Sequence, residues 1–451
     1  MCQLSSSLVS TVELPSSQAS RGLLAVLVLL HVILAFWFGS NTPYRTPGKL
    51  LIQRGAAIPD VGAPDERQHA NYVAHLVEGK GFPVFDPKSA DFGESYESHQ
   101  PPMYYGLAAG YSKLIGLDAD AIRSPAGRAV RWLNLVFGAG GVVGVFFLGF
   151  WGYGRKDIGL IAAAFAALLP MNLALSGSVS NDPLLIALFA WTIAVAARGV
   201  REGWTTKLAL TCGILAGLAL LTKSTGIALL LILGVAAMLR RPTAKQAIAV
   251  VVPAILLPLP WLLRNQSLYG DPLALRMFQQ AFVGSAQSSI FIDNPQVGLF
   301  GYLVNWLGWW TARSFFGAFG YMDIWLNETG NPYSGPNALY RILLALLMVA
   351  FVGWLLRVRE SDSMERRVHL LGALTFAIVT ALFLRFGLQY FQAQARYLFP
   401  ALAPIACGVA WGATRLSKGN WKVAFAAVAL PLLAVAILAG SILPAEFAKR
   451  M

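Results

Sequence analysis

The chain has 451 residues, of which 56% are hydrophobic and 13% charged, with a formal net charge of +13. Its hydrophobic residues come in long runs, such as 23–38 and 247–263, without the charges that a water-facing helical stripe requires, which excludes an ordinary soluble domain. The basic residues are scattered over short loops instead of forming a stripe interleaved with aromatics, which excludes nucleic acid as a partner.

In chain order, residues 1–21 read as a short polar cytoplasmic tail. The first apolar run lacks a small-residue cleavage site and is read as a membrane span, 22–40, rather than a signal peptide. Runs of about 17–24 residues place further spans at 129–151, 157–175, 182–198, 207–222, 225–240, 246–263, 338–356, 368–386, 398–414 and 423–443. The expectation is an all-α integral membrane protein with about eleven transmembrane helices. Alternate short connections carry Arg155 and Lys156, Arg198 to Lys207, Arg240 to Lys245, Arg357 to Arg367, and Arg415 to Lys422. The opposite ones, at 176–181, 223–226 and 387–396, are nearly free of charge. This asymmetry puts the N-terminus in the cytoplasm.

Two long segments, 41–128 and 264–337, then fall together on the non-cytoplasmic side, where the chemistry is expected. Their Trp, Tyr, Pro and Gly content predicts partly helical caps against the membrane surface. The chain thus divides into an N-terminal membrane module, 22–263, carrying the first outer loop, then the second outer loop and the C-terminal helices, 338–451. Cys2, Cys212 and Cys407 lie far apart, two of them in apolar runs, and offer neither a disulfide framework nor a metal knuckle.

In the first loop, Pro64, Asp65 and Glu66 open a short helix that ends before Gly79. Asp65 and His69 share a face of it, so the imidazole would orient the carboxylate as a general base. The plain alternative is a pair of first-turn acids complementing the helix dipole. Further on, Pro101 and Pro102 fix an extended entry into an amphipathic helix and hold His99 at the membrane rim. Tyr104 and Tyr105 there read as headgroup-depth anchors.

The acidic pair after the first span and the closing segment His99-Gln100-Pro101-Pro102-Met103-Tyr104-Tyr105 resemble the GT-C superfamily of membrane glycosyltransferases, which includes the protein O-mannosyltransferases and the aminoarabinose transferase acting on lipid A. Further motifs follow in order: Ser178 to Leu185 with Asp182, Leu221 to Gly226 with Lys223, Trp261 to Asn265 running to Pro272, Arg313 to Gly317, and Gln394 to Pro400. Gln100 departs from the mannosyltransferases' His-Pro-Pro form.

The resemblance implies a sugar donor joined through phosphate to a polyprenyl chain, a lipid, glycan or protein acceptor, and residence in the bacterial inner membrane among its lipids. Cations are then needed at outer helix ends, and Lys223, Arg264 and Arg396 occupy three of them, with Arg313 in the second loop. Snorkelling to the interface is the alternative for each. Asp182 either caps its helix or joins the site. The expected mechanism is inverting transfer with Asp65 as base. Glu66, His69, His99 and Asp182 are the other acidic or orienting candidates. No metal or other cofactor is required; a Glu, His and Asp set matches no closed metal spacing, although a divalent ion is conceivable chemically.

A transporter or flippase remains the alternative class, but it calls for ionisable residues or breaks lining a path within the spans. Tyr302, Trp306, Trp309, Trp310 and Trp325 offer sugar-stacking surfaces or a membrane belt. The Asn265 and Asn327 sequons are read as chance.

Overall fold

Apolar segments without water to bond must satisfy their own backbone groups, and helices do so. The computed structural model describes residues 16–326 and 337–451. The first fifteen residues of the tail, with Cys2, and the Asn327 sequon therefore lie outside the described residues.

Among the described residues, seven helices are long and apolar enough to cross a membrane: Ser17–Asn41, Pro125–Gly152, Asp182–Glu202, Ala338–Glu360, Ser363–Gly387, Ala395–Leu416 and Trp421–Ala448. Two expected straight spans are instead bent pairs. Lys156–Leu168 and Pro170–Ser176 meet at 66°, and Ala244–Leu256 and Leu259–Tyr269 at 44°. The expected spans 207–222 and 225–240 fall on the shorter apolar helices Thr206–Thr222 and Ser224–Leu239. By length and composition the described residues thus support seven spans, or nine with the bent pairs, and not the full number expected from apolar runs.

Proline explains the sharper bend. Leu169, before Pro170, is extended at φ −67° and ψ 115°, because the proline ring disfavours helical backbone at the preceding residue. Pro170 also cannot donate to the carbonyl four residues back. The Asn172 side-chain amide donates to that Ala166 carbonyl at 2.9 Å. His31 Nδ1, from the middle of the first helix, lies 2.9 Å from the Ala167 carbonyl, and its Nε2 lies 3.2 Å from the Ser176 hydroxyl. A histidine inside a span therefore serves the break in its neighbour.

Glycines let the chain around this break reach the end of the first helix. A Cβ on Gly177 would lie 2.6 Å from the Ala35 carbonyl oxygen, and one on Gly39 would lie 2.6 Å from the Gly177 carbonyl oxygen. This contact holds the Ser178–Asn181 stretch beside the start of the first loop. Gly177→Ala is expected to cost about 1–3 kcal/mol by forcing the backbones apart, measured as a lower thermal unfolding midpoint in detergent; an unchanged midpoint would show that the contact relaxes freely.

Two small antiparallel sheets lie outside the all-helical expectation: Gly48–Leu50 with Ala56–Ile58, and Ala318–Phe319 with Ile324–Trp325. Asp323 joins them. Its carboxylate accepts from the Leu51 and Ile52 amides at 3.0 and 2.6 Å, and from Arg450 Nε at 2.5 Å. Both loops are thereby fastened over one end of the helix bundle.

Candidate active site

Asp65 stands at the start of the helix Glu66–Val77 with φ 63°, a left-handed conformation costly for most side chains but one that aspartate tolerates. It does not cap its helix. Its carboxylate instead accepts from the Tyr96 hydroxyl at 2.6 Å and from Arg396 Nη2 at 2.5 Å. The imidazole of His69, expected to orient Asp65, has its Nδ1 2.7 Å from the Tyr105 hydroxyl. Tyr96 and Arg396 orient the carboxylate in its place.

Asp182 opens the helix Asp182–Glu202, whose N-cap is Asn181, and makes no cap either. Lys223 Nζ donates to its Oδ1 at 2.5 Å, and Arg396 Nη1 lies 3.9 Å from its Oδ2. Lys223 leaves the end of the helix Thr206–Thr222 in an extended conformation, and Arg396 sits in the turn Ala395–Ala401 leading into the helix Leu402–Leu416. Four helix ends distant in sequence thus assemble the row Asp65, Arg396, Asp182, Lys223. The Tyr397 ring lies 5.2 Å from the Arg396 guanidinium and 5.9 Å from the Lys223 ammonium, placing π-density near both cations.

The remaining candidates are dispersed. Glu66 is fully buried and faces Arg131, which donates from Nε and Nη2 at 2.7 and 2.6 Å, while the Val179 amide donates to it at 2.7 Å. Arg131 is also fully buried and donates to the Gly39, Thr42 and Pro43 carbonyls. Glu66 therefore holds the first helix, the Ser178–Asn181 stretch and the helix Arg131–Phe147 together rather than standing beside Asp65. His99 donates to the Tyr96 carbonyl at 2.7 Å and packs against Phe85 and Phe278, steadying the turn that carries Tyr96. Arg264 donates to the Phe82 and Pro83 carbonyls at 3.1 and 2.8 Å. Arg313 is buried among the indoles of Trp309, Trp310 and Trp325. Of the four cations considered, Lys223 and Arg396 meet the carboxylates. Tyr302, Trp310 and Trp325 are buried, which separates them from a membrane belt.

Electrostatics follow the contacts. Burial opposes ionisation of Asp65, but the Arg396 charge and the Tyr96 hydroxyl outweigh it and hold its carboxyl down at about 2. Burial pushes the Glu97 carboxyl up, and it pushes the His69 imidazole down. His99 is lowered by burial to about 4.

A shallow cleft with room of about 40 Å³ opens beside Arg396, lined by Pro64, Ser180, Ser314, Phe319 and Gln394 among others. An apolar groove of about 670 Å³ lies next to the Lys223 turn, between Leu220, Ile227 and Leu230 on one side and Ile255, Pro258 and Leu262 on the other. Among the described residues, no three His, Cys, Asp or Glu side chains gather as a metal-binding group.

Tyr104 and Tyr105, expected as headgroup-depth anchors, are instead fully buried, and Tyr96, Glu97 and Tyr397 were not singled out by the sequence. Tyr397 lies within a motif already noted and Glu97 two residues before one, so adjacency was their signal. Arg131, inside an apolar run, carried the stronger one, since a charge in a span demands a buried partner.

Residues 99–263 match the family model described as dolichyl-phosphate-mannose-protein mannosyltransferase. No curated protein matches the sequence. The oligosaccharyltransferase of Archaeoglobus fulgidus, solved tethered to an acceptor peptide containing the NVT sequon, aligns with 95% of this chain and 55% of its own at 15% identity, with a TM-score of 0.56. The same organism's oligosaccharyltransferase AglB, solved with an inhibitory peptide and a dolichol-phosphate, covers 94% of this chain and 56% of its own at 15% identity, with a TM-score of 0.54. Over nearly its whole length, the chain shares the fold of these two structures. The chain spans about half the length of these two proteins. In this fold, the row Asp65, Arg396, Asp182 and Lys223 occupies one end of the helix bundle, where the two long loops meet.

Proposed function

We propose that the chain is an inverting glycosyltransferase of the bacterial plasma membrane, moving a sugar from a polyprenyl-phosphate carrier to a lipid, glycan or protein acceptor at the outer face. The observation that carries this reading is Arg396, which lines the cleft and sits between Asp65 and Asp182 with Lys223 adjacent, so that a base and the cations an anionic leaving group needs are gathered in one cluster. The dolichol-phosphate bound by the Archaeoglobus protein and the mannosyltransferase description of the matching family model favour a carrier of this chemistry.

In the reaction, an acceptor hydroxyl or amine attacks the anomeric carbon. The bond from that carbon to the phosphate oxygen breaks, its electron pair stays on the phosphate, and the acceptor's proton passes to Asp65. Arg396 and Lys223 neutralise the charge that grows on the departing phosphate. The first isoprene units lie in the apolar groove beside Lys223. Arg396 also couples binding to chemistry: a phosphate that takes over its guanidinium releases Asp65 from the ion pair and raises its basicity when the acceptor is to be deprotonated.

With Arg396 in place, Asp65 remains ionised until the pH falls through about 2, so it sets no acid limb in kcat/KM at ordinary pH. Removing the cation leaves burial as the dominant influence. In Arg396→Gln the acid limb attributable to Asp65 is expected to move up past the ordinary aspartate value of about 3.9. A kcat/KM profile of the residual activity checks this, and a limb at the wild-type position would remove Arg396 from the role. Lys223→Met is expected to raise KM for the carrier-linked donor about tenfold to a hundredfold, the loss of a charged hydrogen bond, while Lys223→Arg retains part of it.

Purified protein incubated with polyprenyl-phosphate sugars tests the function itself. Release of free polyprenyl phosphate dependent on Asp65 supports it, whereas no turnover with hexose or pentose donors overturns it.

A further inference from the structure

Resting on the carrier-phosphate reading above, we infer that Glu97 is a sugar-binding residue, accepting a hydrogen bond from a hydroxyl of the transferred glycosyl group while the phosphate lies on Arg396 and Lys223. Glu97 belongs to the turn Tyr96–His99, directly after the tyrosine that holds Asp65. It is 7% exposed and, unlike Asp65 and Asp182, has no lysine or arginine partner in an ion pair among the described residues. Its ion-pairing neighbour among the described residues would be His69, whose imidazole burial disfavours charging and whose Nδ1 is 3.8 Å from Oε2 and already engages the Tyr105 hydroxyl. Oε2 has no hydrogen bond. A buried carboxyl oxygen without a donor is costly, so a site that keeps one gains when a donor arrives.

The neighbouring unsatisfied atoms tell which kind of ligand arrives. Glu97 Oε2, Gln100 Oε1 and Asp182 Oδ2 are all buried acceptors without a hydrogen bond, and Arg396 Nε is a buried donor without one. Glu97 follows Tyr96, whose hydroxyl holds Asp65, and Asp65 and Asp182 share Arg396, with Lys223 on Asp182. A phosphodiester brings acceptors only and satisfies Arg396. It offers nothing to the other three. A single acceptor hydroxyl supplies one donor. A polyhydroxylated ring supplies several at fixed spacing, and it is the one group of the proposed donor that fits this surplus of acceptors. Glu97 and Gln100 thereby become determinants of which sugar is taken.

Replacing Glu97 separates sugar recognition from phosphate recognition. Binding is measured for three probes, polyprenyl phosphate bearing a hexose or pentose, bare polyprenyl phosphate, and neutral polyprenol, against wild type, Glu97→Met and Glu97→Gln. Methionine removes the acceptor at similar volume, and glutamine keeps a weaker one, so the glutamine variant decides the matter if the methionine variant fails to fold. The expected result is a roughly 10- to 100-fold loss of affinity for the sugar-bearing lipid in Glu97→Met, a smaller loss in Glu97→Gln, and unchanged affinity for bare polyprenyl phosphate. Equal losses for the sugar-bearing and bare lipids, or no loss for either, would overturn the assignment of Glu97. Wild-type protein that binds polyprenyl phosphate no better than polyprenol would instead overturn the carrier-phosphate reading, and the Glu97 assignment with it.

Discussion

Turnover in Asp65→Asn is expected to fall by about a hundredfold to ten-thousandfold, the range that a general base contributes, with the fold intact. The substitution keeps the shape and one acceptor oxygen for the Tyr96 hydroxyl. It abolishes the charge facing Arg396 and the ability to take a proton. If Asp65 were only a helix-terminal acid complementing a dipole, the loss would be a few tenths of a kcal/mol in stability and nothing in rate. The two outcomes differ by orders of magnitude. Single-turnover measurements at saturating donor report the chemical step, and a rate within threefold of wild type would remove Asp65 from the base role. The accompanying change in affinity for bare polyprenyl phosphate has the opposite sign: with Arg396 no longer paired to a carboxylate, Asp65→Asn binds the anion at least as tightly as wild type.

The second large effect concerns stability. Glu66 and Arg131 are both fully buried and paired at 2.6 Å. Removing one partner of such a pair leaves the other charge stranded, at a cost of about 3–5 kcal/mol. The two removals are not equivalent. In Arg131→Met, Glu66 can take up a proton and become neutral, so the damage lessens as the pH is lowered. In Glu66→Leu, Arg131 cannot lose its proton and keeps only the Gly39, Thr42 and Pro43 carbonyls as partners. Glu66→Leu is therefore expected to be the more destabilised variant at every pH, and the double variant to recover part of the loss. Unfolding in detergent as a function of pH measures this. Equal destabilisation with no pH dependence in Arg131→Met would show that Glu66 does not carry its charge alone.

The helices were legible because apolar runs of this length leave the backbone no other economical way to bond. Their straightness was not, since Pro170 and Pro258 read simply as prolines within apolar runs until Leu169 and the 44° bend showed where the helix stops. The two hairpins stayed hidden because strands of two or three residues leave no periodicity, and Asp323, which fastens them, acts through backbone amides far away in sequence. In the site, Asp65, Asp182, Lys223 and Arg396 were legible as charges at helix ends in a chain that otherwise avoids charge. Their pairing was not, because Asp65 and Arg396 are separated by 331 positions. Glu66 shows the limit of adjacency: it follows Asp65 directly, but the left-handed backbone at Asp65 and the start of the helix turn the two side chains to different partners. Arg264 and Arg313 shared the sequence pattern of the site cations and went to backbone carbonyls and indole rings instead.

A structure of the protein with a non-hydrolysable polyprenyl-phosphate sugar tests the central claim most directly. The account expects the phosphate oxygens within hydrogen-bond distance, about 3 Å, of both Arg396 and Lys223, with the anomeric carbon facing an Asp65 carboxylate released from its ion pair. A phosphate seated elsewhere, with the Asp65 and Arg396 pair still closed, would contradict it.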